Sequence, residues 1–141
     1  METLRQKQSQ FAIKVAEWIE QVYSMGYEIT FGENYRSDEQ AAINALGSSG
    51  RAQLTQILRP HPGMVPLATA ISNNTGSGIK NSLHTIRLAL DFNLFKDGRY
   101  SQDIEEYKEV GEAWEQMGED HRWGGRFKDY GHISIEHNGV K

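Results

Sequence analysis

Leu88-Ala89-Leu90-Asp91-Phe92-Asn93-Leu94 lies beyond the middle of a 141-residue chain and reads as a buried strand, interrupted by a carboxylate. Lys96-Asp97-Gly98-Arg99 follows it with a turn signal. Working toward the C-terminus, Ile104, Tyr107, Val110, Trp114 and Met117 recur at helical spacing, with Gly118 beyond, and predict a long helix. After the pair Gly124-Gly125, residues Gly131 to Glu136 set His132, Ser134 and Glu136 against Ile133 and Ile135, a strand with one core face and one polar face. Toward the N-terminus, Phe11, Val15, Trp18, Ile19, Val22 and Tyr23 predict an amphipathic helix that ends near Gly26. Tyr27-Glu28-Ile29-Thr30-Phe31 alternates as a half-buried strand. Ser37-Asp38-Glu39-Gln40 has the form of a capping box and opens a short helix through Leu46. These elements predict an α+β fold: a single small domain over residues 1–141, with a mostly antiparallel sheet and two main helices. Residues 47–81 hold all three prolines (Pro60, Pro62, Pro66) and five glycines, with room for a modest helix from Arg51 to Leu58. They are expected to form a mobile, loop-rich insertion.

The length suits one core that folds without staples. There is no cysteine, which removes disulfides, iron–sulfur clusters and thiol nucleophiles, so any metal would be held by the five histidines and the carboxylates. Fifteen Lys and Arg against nineteen Asp and Glu give a net charge of -4, and no nucleic-acid partner is expected. No apolar run approaches the roughly 20 residues of a membrane span. The first residues, Met1-Glu2-Thr3-Leu4-Arg5, lack the pattern of a signal peptide, so synthesis in the cytoplasm is expected.

Two groupings could carry chemistry. His84 and Asp91 are seven residues apart, which on one regular strand would turn them to opposite faces. They converge only if the chain bends between them. Asp129-Tyr130-Gly131-His132 places a carboxylate three positions before a histidine across a glycine. There His132 could bind a metal while Asp129 takes a proton from metal-activated water. Two histidines and one carboxylate leave a tetrahedral zinc with an open fourth position. The same residues have plain readings: histidines on the surface or in the core, an aspartate as an edge device, Arg36 as a solvated turn residue, and Trp18, Trp114 and Trp123 as core. His61 looks like a loop residue, and His121 and His137 lack a partner pattern.

Taken together, Ser82-x-His84-x-x-x-x-Ala89-x-Asp91, the late Trp123-Gly124-Gly125 and Asp129-x-x-His132 resemble the zinc peptidases that cleave peptidoglycan stem peptides. That family includes D-alanyl-D-alanine carboxypeptidases and dipeptidases and L-alanyl-D-glutamate endopeptidases. Gly32-Glu33-Asn34-Tyr35-Arg36-Ser37 with Gln40 is similar to its Y-R-[ST]-x-x-x-Q element, the Gln standing one position early. The resemblance runs in order from about residue 11 to residue 137. It implies a hedgehog/D-Ala-D-Ala peptidase-like fold, with His84, Asp91 and His132 as Zn2+ ligands. It implies Asp129 as general base and Arg36 as the group steadying the scissile carbonyl and its oxyanion. Ser82, Gln40 and Trp123 would bind substrate or support the site. Arg87 stands where the family has glycine, which leaves the local backbone geometry open. Asp rather than Glu at 129, with Trp123-Gly124-Gly125, looks like the L-alanyl-D-glutamate endopeptidase branch, which includes phage endolysins. The implied substrate is a stem peptide and the implied route to the wall something other than a signal peptide; a chain this compact has no evident need of a partner, so a monomer is expected. The rival readings are a D-alanyl-D-alanine carboxypeptidase using the same site, a non-haem iron oxygenase, and a non-catalytic wall-binding or phage structural module. The oxygenases usually place histidine and carboxylate two residues apart, which counts against the second.

Overall fold

In the computed structural model, which describes residues 1–74 and 82–141, the strand read from Leu88 onward becomes the centre of an antiparallel sheet. This strand, β2 (Ala89–Lys96), is numbered with its neighbours β1 (Tyr27–Phe31), β3 (Arg99–Tyr100), β4 (His121–Trp123) and β5 (His132–Ile135). The order is β1-β2-β5-β4, and β3 folds back on the end of β2. Asp97 and Gly98 both have positive φ, 52° and 73°, as the tight primed turn of a two-residue hairpin requires.

Helices α1 (Leu4–Ser24) and α5 (Ile104–Glu115) supply the other half of the core. Thr3 and Gln6 close a full capping box at the start of α1, and Asp103 caps α5. Phe11, Trp18 and Val22 from α1 meet Tyr107, Val110 and Trp114 from α5 over Leu90, Phe92 and Leu94 of β2. Trp18 stacks edge-on against both Phe92 and Trp114, and its indole N–H donates to the Val110 carbonyl at 2.8 Å. Truncating a buried aromatic of this kind costs roughly 3–5 kcal/mol. Because side chains alternate along a strand, fixing Leu90, Phe92 and Leu94 under the helices turns Asp91 and Asn93 to the other face.

Three features differ from the sequence reading. The segment from residue 47 is not loop-rich. It forms α3 (Gly47–Leu58), a 3-10 turn at Pro62–Met64 and α4 (Val65–Asn73), and with α2 (Asp38–Ala45) this makes five α-helices among the described residues. Its prolines look like breakers but sit at helix starts, where the missing N–H is no loss: Pro62 opens the 3-10 turn and Pro66 lies in the first turn of α4. The rest of that segment, residues 75–81, lies outside the described residues. Second, all four residues of β5 are buried, so its polar face is sealed as well as its apolar one. Third, Phe31 at the end of β1 is exposed rather than half-buried.

Candidate metal centre

Asp91 and His132 are direct partners across the β2–β5 ladder. Cross-strand partners share a face, so His132 joins Asp91 on the side away from α1 and α5. His84 arrives from a separate element, the 3-10 turn Leu83–Ile86, and its own amide donates to the Ser82 hydroxyl at 3.3 Å. That turn supplies the bend which the seven-residue spacing demanded. The three donor atoms then form a tight triangle. His132 Nδ1 is 2.9 Å from Asp91 Oδ1, and His84 Nε2 is 3.2 Å from each of them. A tetrahedral ion with bonds of about 2.0–2.2 Å needs donors roughly 3.3–3.6 Å apart. The triangle is within a few tenths of an ångström of that, and two imidazoles with one carboxylate are a donor set suited to zinc. Burial pushes the Asp91 carboxyl up, but hydrogen bonds from His132 and His84, with their charge, outweigh it and hold it well below the usual carboxylate range.

The stretch Gly32–Arg36 straps the two ligand-bearing elements together. The Gly32 amide donates to the Asp91 carbonyl at 2.7 Å, and the Asp91 amide donates to the Glu33 carbonyl at 2.8 Å. The Asn34 carbonyl lies 3.4 Å from His84 Nδ1, and the Arg36 amide donates to the His84 carbonyl at 3.2 Å. The Arg36 guanidinium pairs with Glu33 Oε1 at 2.5 Å.

Asp129 follows a third 3-10 turn, Gly124–Phe127, and its Oδ2 stands 3.8 Å from His132 Nδ1. Its amide donates back to the Gly124 carbonyl at 2.9 Å, so the loop folds tightly over that residue. A Cβ at Gly124 would lie 2.2 Å from the Asp129 carbonyl oxygen and 2.8 Å from the His132 Cβ, a space only glycine leaves free. Desolvation raises the Asp129 carboxyl above its ordinary value; His132 opposes this and Asp91 adds to it. The side chain is still 56% accessible, so solvent screens part of the effect.

Trp123 is only 3% exposed and donates its indole N–H to the Tyr130 carbonyl at 2.8 Å, next to Asp129 in the chain. Ser82 caps the turn that carries His84. Gln40 donates its amide to Asn44 within α2. Arg87 has φ 56°, the left-handed conformation that glycine takes without strain, and its guanidinium stacks 4.1 Å over the Tyr35 ring. An arginine can therefore stand here, its strain of about 1–2 kcal/mol partly offset by that stack. His61 precedes the Pro62 turn, His137 sits in a bridge to Val140, and His121 is buried beside Asp120. None of these three belongs to the cluster of donors among the described residues. Glu33 has no signature of its own in the sequence beyond its place in the stretch from Gly32 to Ser37. Its place depends on the long-range pairing of Gly32 and Glu33 with Asp91, for which no local periodicity exists.

Residues 75–135 match a family model described as D-alanyl-D-alanine carboxypeptidase. The matched stretch is less than half of the chain; it contains His84, Asp91, Asp129 and His132 and leaves Arg36 outside. No curated protein sequence matches. Among solved structures the chain is similar to the vancomycin-resistance D,D-pentapeptidase VanY from a VanB-type resistance cassette, determined as a mutant in complex with Zn(II). Identity there is 14% and the TM-score 0.49, over 89% of this chain and 70% of that one. It is also similar to VanYB in complex with D-alanine-D-alanine, at 15% identity and a TM-score of 0.49, over 89% of this chain and 69% of that one. Among the described residues no helix is long and apolar enough to cross a membrane.

Proposed function

We propose that this chain is a zinc-dependent peptidase that hydrolyses peptidoglycan stem peptides at the L-alanyl-D-glutamate bond, in the manner of a phage or prophage endolysin. The observation that carries the reading is the convergence of His84, Asp91 and His132 with a further carboxylate, Asp129, 3.8 Å from one of the three donors. The family match over residues 75–135 supports it, because it spans those same four residues.

In this reading His84 Nε2, Asp91 Oδ1 and His132 Nδ1 hold the ion, and zinc supplies Lewis acidity toward water and the scissile carbonyl. Asp129 Oδ2 accepts the proton released as water attacks the carbonyl carbon, then delivers it to the departing amine nitrogen. Arg36 donates to the carbonyl oxygen as negative charge develops there. Trp123 and Gly124 hold the Asp129 loop in place, and Ser82 fixes the turn bearing His84. The choice of bond rests on Asp at position 129 together with Trp123-Gly124-Gly125.

The description of the matching family favours a second reading, removal of the terminal D-alanine by the same site. Digestion of purified peptidoglycan with the zinc-loaded chain separates the two. Stem peptides with a new amino terminus on D-glutamate establish the endopeptidase, and free D-alanine establishes the carboxypeptidase. Wall binding with neither product would leave a non-catalytic module.

A further inference from the structure

Glu33 has no part in the chemistry above, yet its carboxylate stands between two groups that do. Oε1 lies 2.5 Å from the Arg36 guanidinium and 3.9 Å from His84 Nδ1. Although the Glu33 side chain as a whole is partly exposed, this oxygen is buried, and Arg36 is only 12% exposed. The contact is an ion pair rather than an aligned hydrogen bond: among the described residues Glu33 Oε1 and Arg36 Nε are both buried without a hydrogen-bond partner. A buried ion pair that leaves Arg36 Nε without a hydrogen-bond partner, beside a cluster of metal-suited donors, calls for an explanation.

We propose that Glu33 is a positioning residue that couples Arg36 to His84, holding the guanidinium ready for substrate and the imidazole ready for metal. On the arginine side, pairing through one terminal nitrogen fixes the planar fork. On the histidine side, Nε2 faces Asp91 and His132, so Nδ1 must carry the proton when Nε2 gives its lone pair to an ion. The Asn34 carbonyl and the Glu33 carboxylate both lie on that side of the ring. A carboxylate there favours the Nδ1–H form and makes Nε2 a stronger donor. Its negative charge also offsets the repulsion between a bound cation and Arg36. The strap places the residue: the Glu33 carbonyl accepts from the Asp91 amide, so one residue touches both sides of the site through its backbone and its side chain. This assignment rests on the peptidase reading, since it takes the cluster to be a zinc site.

The test uses Glu33→Gln, which keeps the shape and removes the charge, and Glu33→Asp, which keeps the charge. Zinc affinity is measured on the full chain by competition with a chelator, alongside kcat and KM on peptidoglycan fragments and the melting temperature of the metal-free protein. Glu33→Gln should weaken zinc by about 10–100-fold and lower kcat more than it changes KM, with metal-free melting close to wild type. Glu33→Asp should recover part of the zinc affinity, and Glu33→Gln combined with Arg36→Lys should lose less than the sum of the two single changes. Zinc affinity in Glu33→Gln within about twofold of wild type overturns the proposal, whether or not stability falls. A wild-type chain that binds no zinc fails the peptidase reading and this assignment together. One that binds zinc but cuts no stem peptide fails the peptidase reading alone, and the affinity comparison still decides Glu33.

Discussion

His121 and His132 stand on neighbouring strands, each near an aspartate, on opposite faces of one sheet. His132 is paired across the ladder with Asp91, on the face away from α1 and α5, and a third donor reaches it from His84. His121 is paired with Ile135, on the core face, where its ring lies 4.3 Å from that of Trp114 and its Nδ1 is 3.1 Å from Asp120 Oδ1. Its Nε2 is buried without a hydrogen-bond partner among the described residues. Burial lowers the His121 imidazole below its ordinary value, although Asp120 works against this, so it is held neutral as a core residue. A histidine beside a carboxylate is therefore not yet a site. What separates the two is a face turned away from α1 and α5 and a third donor brought in from another element.

The sharpest way to break this comparison is to exchange the fates of the two histidines. His132→Ala should abolish zinc retention and reduce stem-peptide hydrolysis to background, whereas His121→Phe should retain both, as read by metal analysis after gel filtration. Equal zinc loss in the two variants would erase the distinction. Asp129→Asn comes next, with an expected rate loss of about 10²–10⁴-fold at unchanged zinc content, because it removes the proton acceptor and no ligand. Gly124→Ala should destabilise by about 1–3 kcal/mol in denaturant titration and lower activity as well, since the new Cβ pushes Asp129 and His132 apart.

A smaller effect appears in the dependence of stability on pH. The folded-state value of His121 is depressed, so the unfolded chain binds the proton more readily. Its contribution is complete above the ordinary imidazole value of about 6.5 and is lost as pH falls through the depressed folded value. Melting curves between pH 7 and pH 5 should therefore fall more steeply for wild type than for His121→Phe. The smallest change belongs to Arg87→Gly, which relieves left-handed strain and loses the stack on Tyr35. These oppose each other and should leave stability within about 1 kcal/mol of wild type.

The strands β1, β2 and β5 and the helices α1 and α5 were legible because each buries a face at its own period. The helices α3 and α4 were less so, since their prolines and glycines read as breakers, and a proline in a first helical turn looks in sequence like one that ends a helix. β4 is three residues long and carries too few positions for any periodicity to show. In the site, the histidines and Asp91 could be singled out as residue types, but their spacing taken alone argued against convergence.

What the sequence by itself determined is local: which stretches alternate, where they turn, and that Asp91 must point away from Leu90, Phe92 and Leu94. Those follow from side-chain period and backbone preference, which neighbouring residues decide among themselves. Tertiary structure decided which residue stands opposite Asp91, that the 3-10 turn returns His84 to the same face, and that Glu33 comes to rest between Arg36 and His84. These depend on the register between strands far apart in the chain. That register is set by the helices closing over the core and by backbone hydrogen bonds such as Asp91 to Glu33, which carry no pattern in either segment alone.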